Sequence, residues 1–101
     1  MIYIEEYEVD PSDMEELIKI YTESKKIFNE LKLPYIKNYT VYHSTENPGK
    51  IRGVVIYNEG GNTEQLTEDY MSHPKASWVI ENIMKIIKPV NNETYKELFP
   101  F

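Results

Sequence analysis

The 101-residue sequence has no cysteine, one arginine and no long apolar run. Without cysteine, the chain can form no disulfide bond, thiol nucleophile or zinc–thiolate site. No stretch approaches the roughly 20 apolar residues of a membrane-spanning helix. The first residues also lack the basic start and apolar core of a signal peptide. We therefore predict a cytoplasmic protein that does not associate with membranes.

Positive charge is scarce as well. The formal net charge is −6, and the lysines are scattered among a larger number of acidic residues. Nucleic-acid binding depends on clustered Lys and Arg that neutralise phosphates, so this composition predicts no nucleic-acid partner. Gly60 and Gly61 follow a predicted strand but lack the lysine and the later glycine of a phosphate-binding loop. We expect no cofactor.

What the sequence does contain is typical of one folded domain. Apolar residues make up 41% and charged residues 28% of the chain, which is ordinary for a globular protein. A chain of this length buries enough surface for one core. We therefore predict a single domain over residues 1–101.

The first third of the chain predicts a strand followed by a long helix. Residues 2–9 are rich in Ile, Tyr and Val and predict the strand. Asp10 and Pro11 mark the helix start, within a residue or two. The helix is expected to end near Lys32, because Pro34 disfavours its continuation. Its apolar stripe comprises Met14, Leu17, Ile18, Tyr21, Phe28 and Leu31, widened by Ile20 and Ile27.

The middle of the chain predicts a β-hairpin. Residues 35–45 and 51–58 are rich in β-branched and aromatic residues and predict two strands. Turn-forming residues at 46–49 connect them. Residues 63–71 are expected to form one or two helical turns with their apolar side chains facing inward.

The last third predicts a helix and a final strand. The helix is expected to open at residues 72–74 and to end at Pro89, and residues 93–99 are expected to form the strand. The order is then β-α-β-β-α-β. Two right-handed crossovers place both helices on one face of a four-stranded antiparallel sheet, which is the α+β, ferredoxin-like fold.

Both faces of the predicted sheet carry apolar side chains. In the third strand, Val54 and Ile56 point away from the face that holds Ile51, Val55 and Tyr57. Two helices cover only one face, and monomers rarely expose a large apolar patch. We therefore predict a homodimer paired through the open face, a dimeric α+β barrel. The alternative is a monomer with a partly hydrated, tyrosine-rich face.

Seven of the nine tyrosines lie in predicted strands, and four of these concern us here: Tyr3, Tyr7, Tyr39 and Tyr57. Depending on the phase of each strand, they reach the face opposite the helices. There they would form either an aromatic cavity for a small organic ligand or the core of the dimer. The sequence does not separate these alternatives.

Two segments resemble NIPSNAP-like proteins: MIYIEEYEVDPSDMEELIKIYTE at the start and MSHPKASWVIENIMKIIKP near the end. The resemblance implies a dimeric α+β barrel with a cavity between sheet and helices, in a group that includes cofactor-free monooxygenases and haem-degrading enzymes. The chain departs from the pattern, however. Glu5 and Glu6 stand where an arginine is often found, and His73 stands where an acidic residue precedes the helix proline. No catalytic residue follows from the resemblance.

The two histidines are the candidate catalytic residues. His73 is expected at a helix N-terminus, whose positive dipole end disfavours the imidazolium form and leaves a usable base. The alternative is an exposed capping residue. His43, near the end of the second strand, shares a face with Tyr39. It either lines a pocket with that tyrosine or belongs to an edge strand protected by Lys37.

A metal site is not expected, because the two histidines and the carboxylates of the first strand match no zinc-ligand spacing.

Trp78 projects from the polar face of the last helix and needs a cover. A ligand, a loop, a partner or the apolar tail Leu98-Phe99-Pro100-Phe101 could provide it. We expect this tail to be docked, either on its own chain or on the partner, since apolar side chains are costly to leave in water.

Three functions remain open at this point. The first is a homodimeric protein that binds a small organic ligand in a cavity lined by tyrosines and Trp78. The second is a cofactor-free monooxygenase- or isomerase-like enzyme with His73 or His43 as base. The third is a purely structural or interaction protein with a filled barrel.

Overall fold

Four strands form one antiparallel sheet in a computed structural model that describes residues 1–101. Across the sheet lie the second, third, first and fourth strands of the chain, in that order, and the helices pack against one face of the sheet. This is the predicted ferredoxin-like βαββαβ arrangement, with its second helical crossover divided into two helices. The elements are β1 (Ile2–Val9), α1 (Met14–Leu31), β2 (Ile36–His43), β3 (Lys50–Tyr57), α2 (Thr63–Met71), α3 (Ala76–Ile83) and β4 (Ile87–Tyr95).

The start and end of α1 follow their local sequence signals. The Asp10 side chain accepts a hydrogen bond from the backbone N–H of Ser12 at 2.9 Å, and Pro11 opens one 3-10 turn before the α-helix. Lys32 adopts the left-handed conformation, with φ of 52°, and its N–H bonds to the Phe28 carbonyl. A left-handed residue at this position ends a helix, so the predicted boundary near Lys32 is confirmed.

The predicted boundary between the last helix and the last strand is wrong. Helix α3 ends at Ile83 rather than near Pro89, and β4 spans Ile87–Tyr95 rather than residues 93–99. The register between β4 and β1 shifts at Glu6 and Tyr7, where Pro89 pairs. A proline is tolerated at such an irregularity in an edge strand, because the ladder does not need its missing N–H.

The core lies between the sheet and the helices. The burial stripe of α1 centres on Leu17, Ile20 and Ile27, each 1% exposed, whereas Ile18 is 59% exposed and does not belong to it. The sequence stripe assigned Ile18 to the core because helical spacing alone does not fix the rotation of the helix. The buried side chains form three groups, centred on Ile20 and Val79, on Leu17 and Ile51, and on Val55 and Leu66.

The other face of the sheet is open. Val54 and Ile56 point to it, and their partners on β1 are Ile4 and Ile2. All four are only half-buried in the single chain. Tyr42 on β2 extends the same face and is exposed. The predicted two-sided apolar character of the sheet is therefore present.

The apolar tail does not dock on its own chain. Leu98 is 98% exposed and Phe99 67% exposed, and the Phe99 ring meets that of Phe101 edge-on, with centroids 5.0 Å apart. Trp78 is 49% exposed on α3. Docking of the tail on Trp78 or on its own sheet is thus a wrong prediction, while contact with a partner stays a prediction.

None of the helices has the length and apolarity to cross a bilayer.

Candidate active site

A carboxylate lies on the helix-facing side of β1. The pairing of β1 with β3 places Tyr3 opposite Val55, Glu5 opposite Gly53 and Tyr7 opposite Ile51. Because side chains alternate along a strand, Glu5 shares its face with these two tyrosines and not with Glu6. Glu5 is half-buried.

Tyrosine hydroxyls surround the Glu5 carboxylate. The Tyr7 hydroxyl donates a hydrogen bond to Glu5 Oε2, and the Tyr3 hydroxyl also bonds to the Glu5 side chain. Tyr39, on β2, lies over Gly53, since a Cβ built on that glycine would be 3.9 Å from the Tyr39 oxygen. Such a Cβ would make only an ordinary van der Waals contact, so the Tyr39 ring lies directly against the strand pair that carries Glu5.

Helix α1 closes the other side of this cluster. Tyr21 is half-buried on α1, and the charge of Glu5 acts on its hydroxyl. Phe28 follows Tyr21 about two turns later on α1. Its ring packs edge-on against that of Tyr39, with ring centroids 5.5 Å apart. It also packs against Tyr70 of α2 at 5.2 Å. The carboxylate thus lies in an aromatic surrounding built from β1, β2 and α1.

The carboxylate has no cationic partner. The ion pairs of the chain join Lys26 to Glu23, Arg52 to Glu6 and His73 to Glu30, and none includes Glu5. Burial raises the pKa of Glu5 above its ordinary value of 4.5, and the hydrogen bond with Tyr3 offsets only part of that effect. Burial without a countercharge favours the protonated carboxyl, so Glu5 holds a proton more readily than an exposed glutamate does.

The same surroundings keep the tyrosines protonated. Burial raises the pKa of Tyr3 to about 12, and the nearby Glu5 charge contributes to this. Burial and the Glu5 charge likewise raise the pKa of Tyr21 to about 12. The same two causes raise the pKa of Tyr39 above its ordinary value, although this residue as a whole is 38% exposed. At neutral pH these hydroxyls are therefore donors. The cluster comprises one group that can accept a proton and several that can stabilise negative charge by hydrogen bonding.

The predicted tyrosines lie on the helix side of the sheet, not opposite the helices. The strand register settles this for Tyr3, Tyr7 and Tyr39, which share the face of Ile51 and Val55. Tyr57 is on the same face but is 5% exposed, and its hydroxyl is 3.0 Å from Thr63 Oγ1. The tyrosines therefore cannot form the core of a dimer made through the open face. Trp78, on the exposed side of α3, is not among the residues around Glu5.

The two histidines lie apart from this cluster and from each other. His73 is in the turn between α2 and α3, where Nε2 contacts the Glu30 carboxylate and Nδ1 accepts from the Lys75 N–H at 3.1 Å. The hydrogen bond between His73 and the exposed Glu30 lowers the pKa of the Glu30 carboxyl. Glu30 is nine residues beyond Tyr21 on α1, which is about 13 Å along the helix axis at 1.5 Å per residue.

His43 ends β2 and is exposed. It pairs with Ile51 on β3, and β3 separates it from β1. Together with Lys50 and Arg52 it lines an open depression of about 270 Å³. Its surroundings are thus basic and do not include Glu5.

A larger depression touches the Glu5 cluster. It measures about 560 Å³ and lies at the end of β1, beside the turn between β2 and β3. Tyr7 lines it and also bonds to Glu5, so this tyrosine is shared by the open depression and the inner cluster.

No group of three or more His, Asp or Glu side chains is arranged to hold a metal ion.

Reasoning from the sequence missed Glu5 as a functional residue. The sequence alone marks Glu5 as a departure from the NIPSNAP-like pattern and as one of several first-strand carboxylates that fit no zinc-ligand spacing. The available signal was its position: residues 3, 5, 7 and 9 share one face of a strand, and Tyr3, Tyr7 and Val9 mark that face as the inner one. A carboxylate at the same parity as buried apolar residues is unusual, because burial of a charge is costly.

The sequence matches no protein-family model and no curated protein at a significant level. Solved structures, in contrast, are similar over nearly the whole chain. A candidate antibiotic biosynthesis monooxygenase from Bacteroides thetaiotaomicron superposes with a TM-score of 0.75 at 17% identity, covering 99% of this chain and 90% of that chain.

Two further structures come from Streptomyces. The cofactor-independent oxygenase SnoaB of Streptomyces nogalater superposes with a TM-score of 0.68 at 8% identity, covering 99% of this chain and 96% of that one. Tetracenomycin F2 cyclase of Streptomyces glaucescens, a type-II polyketide cyclase, gives 0.65 at 14% identity, with 97% and 86% covered. This chain therefore has the ferredoxin-like α+β barrel fold that antibiotic biosynthesis monooxygenases and this cyclase share.

Proposed function

We propose that this protein binds a small organic molecule beside Glu5 and removes a proton from it without a cofactor, after which the deprotonated molecule either reacts with dioxygen, as in an oxygenase, or closes a ring, as in a cyclase. The observation that carries the proposal is the Glu5 carboxylate, half-buried among tyrosine hydroxyls and without a cationic partner. The similar structures support the class of reaction, because they include a cofactor-independent oxygenase and a polyketide cyclase.

A purely structural role does not explain Glu5. Removing a carboxylate from water without a countercharge costs stability, and an apolar or amide side chain of similar size would avoid that cost. Perturbed carboxylates of this kind are concentrated at functional sites. A raised pKa also suits a general base, because proton transfer is most effective when the pKa of the base lies closer to the working pH.

The chemistry follows from the two kinds of group in the cluster. Glu5 would take a proton from an acidic C–H or O–H of the bound molecule. The negative charge left on the substrate oxygen would then accept hydrogen bonds from nearby tyrosine hydroxyls, such as that of Tyr39, which remain protonated at neutral pH. Tyr7 would border the entrance, since it lines the open depression as well.

We further propose that two copies of the chain pair through the open face of the sheet. Val54, Ile56, Ile2 and Ile4 form an apolar surface there that no element of the single chain covers. Pairing would remove this surface from water and leave the Glu5 cluster on the inner, helix-facing side. Membership of the NIPSNAP-like branch and a cytoplasmic location stay predictions.

The test is turnover of a panel of uncharged hydroxylated aromatic ketones, followed by oxygen uptake and by absorbance. Wild type should convert at least one member, and Glu5→Gln should lose at least a hundredfold in rate, within the range expected for a general base. Glu81→Gln is the matched control, because Glu81 is an exposed carboxylate on α3 that takes part in none of the ion pairs.

The histidine alternatives have their own outcome. If His43→Gln or His73→Gln removes activity while Glu5→Gln keeps it, the base is a histidine and the proposal for Glu5 is wrong. If no compound of the panel binds or reacts, the proposal fails for this class of substrate, and the structural or interaction protein that the sequence left open is favoured.

A further inference from the structure

We propose that two copies of the chain pair about a two-fold axis that runs along the strands between β1 and β3, so that Arg52 of each copy faces the partner's Glu6. This inference rests on the pairing through the open face proposed above and names its geometry. It does not depend on the chemistry proposed for Glu5. It depends on how the strand register distributes charged and apolar side chains over the open face.

The open face has an apolar end and a charged end. Residues that pair across two antiparallel strands point to the same face, so the register groups them in rows. On the central strands β3 and β1, the rows at one end are apolar: Ile56 with Ile2, and Val54 with Ile4. The rows at the other end are charged: Arg52 with Glu6, and Lys50 with Glu8.

The charges of this face change sign from one central strand to the other. In both charged rows the cation belongs to β3 and the carboxylate to β1. Arg52 and Glu6 also form an ion pair within the chain, yet their side chains stay 48% and 23% exposed. A guanidinium has five N–H donors and a carboxylate about four acceptor positions, so both groups have capacity for a second partner.

A two-fold axis along the line between β3 and β1 matches this pattern to itself. Such an axis places β3 of one copy over β1 of the partner and keeps the strand direction, so apolar rows meet apolar rows. Arg52 then lies over the partner's Glu6, and Glu6 lies over the partner's Arg52. Packed sheets keep their strands within about 30° of each other, which preserves this match near the centre of the face.

An axis across the strands does not match the pattern. It reverses the strand direction, so complete overlap would put the charged rows against the partner's apolar rows and desolvate charges without a countercharge. An offset that overlaps only the apolar rows would bury roughly half of the face, whereas stable complexes bury about 800 Å² on each partner. The axis along the strands therefore joins the apolar and the charged rows in one interface.

The first experiment mixes two charge variants, Arg52→Glu and Glu6→Arg. Alone, each variant places like charges opposite each other, and its dimer dissociation constant should rise at least tenfold. In an equimolar mixture, opposite charges face each other at both contacts, and native mass spectrometry should show at least tenfold more heterodimer than either homodimer. Both variants lose the ion pair within the chain in every dimer, so the preference reports the contact between copies.

The matched control is Glu81→Arg, which makes the same substitution at an exposed position of α3. This variant should dimerise like wild type, and its mixture with Arg52→Glu should show no preference for the heterodimer.

The second experiment locates the axis with introduced cysteines, which react alone because the chain has none. Thr40 on β2 and Glu93 on β4 belong to the row of Val54 and Ile4, and three strand spacings, about 14 Å, separate them within one chain. The proposed axis places position 40 over the partner's position 93, across the gap of about 10 Å between packed sheets. A bismaleimide of that reach should link a Thr40→Cys chain to a Glu93→Cys chain at least tenfold more than it links either chain to itself.

The outcomes separate this inference from the pairing on which it rests. Wild type that scatters as a single chain at micromolar concentration would refute both. A wild-type dimer without heterodimer preference in the charge mixture would refute the proposed axis and leave the pairing in place. Preferential linking between two Thr40→Cys chains would do the same, because an axis across the strands places each β2 over the partner's β2.

Discussion

Two neighbouring valines provide a test of how the sheet is used. Val55 is 3% exposed and faces the helices, whereas Val54 is half-buried and faces the open side. We predict that Val55→Asp unfolds the chain and that Val54→Asp produces a folded monomer. The two variants introduce the same side chain at adjacent positions, so they differ only in the face that receives the charge.

The expected magnitudes follow from the burial of each residue. Aspartate at Val55 places an unpaired charge under the helices, which costs about 3–5 kcal/mol, and loses about 1.5 kcal/mol of apolar burial. Together this is comparable with the total stability of a small domain, about 5–15 kcal/mol. At Val54 the charge would be buried only in a dimer. Two copies would then cost roughly 6 kcal/mol, or about four orders of magnitude in the dimer dissociation constant.

The assay combines light scattering with circular dichroism. Wild type should scatter with twice the 12.0 kDa mass of one chain, and Val54→Asp should report one chain with an unchanged spectrum. Wild type that scatters as a single chain at micromolar concentration would refute dimerisation. A Val54→Asp variant that keeps the doubled mass would refute the choice of face, and a folded Val55→Asp variant would refute the assignment of the inner face.

Three further predictions concern stability. Burial raises the pKa of Glu5 in the folded chain above its ordinary value of 4.5. The protonated side chain therefore contributes its full stabilisation below pH 4.5, and this contribution is lost as the pH rises through the folded-state pKa. We expect Glu5→Gln to raise the melting temperature at pH 7 and to lose this advantage by about pH 4. Asn62→Ala should cost about 0.5–2 kcal/mol in urea unfolding, because its side chain caps α2 by accepting from the Gln65 N–H at 2.8 Å. Deleting residues 98–101 from the Val54→Asp monomer should change neither the melting temperature nor the Trp78 fluorescence, since the tail is exposed.

Each of these predictions has a distinct contrary result. A Glu5→Gln variant less stable than wild type at pH 7 would mean that the carboxylate is compensated by a group other than the tyrosines. Asn62→Asp should keep the cap, so an equal loss in both variants would assign the effect to another contact. A blue-shifted or red-shifted Trp78 spectrum after truncation would show that the tail does reach α3.

Local signals predicted most of the fold. The Asp10–Pro11 start, the Lys32 end and the turn between the two hairpin strands depend on a few adjacent residues, and the structure confirms them. The end of α3 did not follow in the same way. Ile83, Ile86 and Ile87 all enter the core, and their spacing suits a helix as well as a helix that turns into a strand. Only pairing with β1, a long-range contact, decides between them.

The candidate site needed the same long-range information. The number of tyrosines and their strands were visible in the sequence, but the face that they occupy depends on which strand pairs with which residue. The register placed Tyr3 and Tyr39 against Val55 and so moved the predicted cluster to the helix side. The two histidines attracted attention by residue type, whereas Glu5 is distinguished by its surroundings.

The irregular edges of the sheet affect how the protein can associate. Both edge strands contain a register shift, at residues 36–38 where β2 meets β3 and at Glu6/Tyr7 where β1 meets β4. Lys37 lies within the first, and Lys88 and Pro89 lie beside the second. Bulges, lysines and prolines hinder the addition of a further strand at an edge. Concentrated solutions of this protein should therefore resist growth into strand-paired fibrils, and the association that we propose, through a sheet face, would stop at two copies.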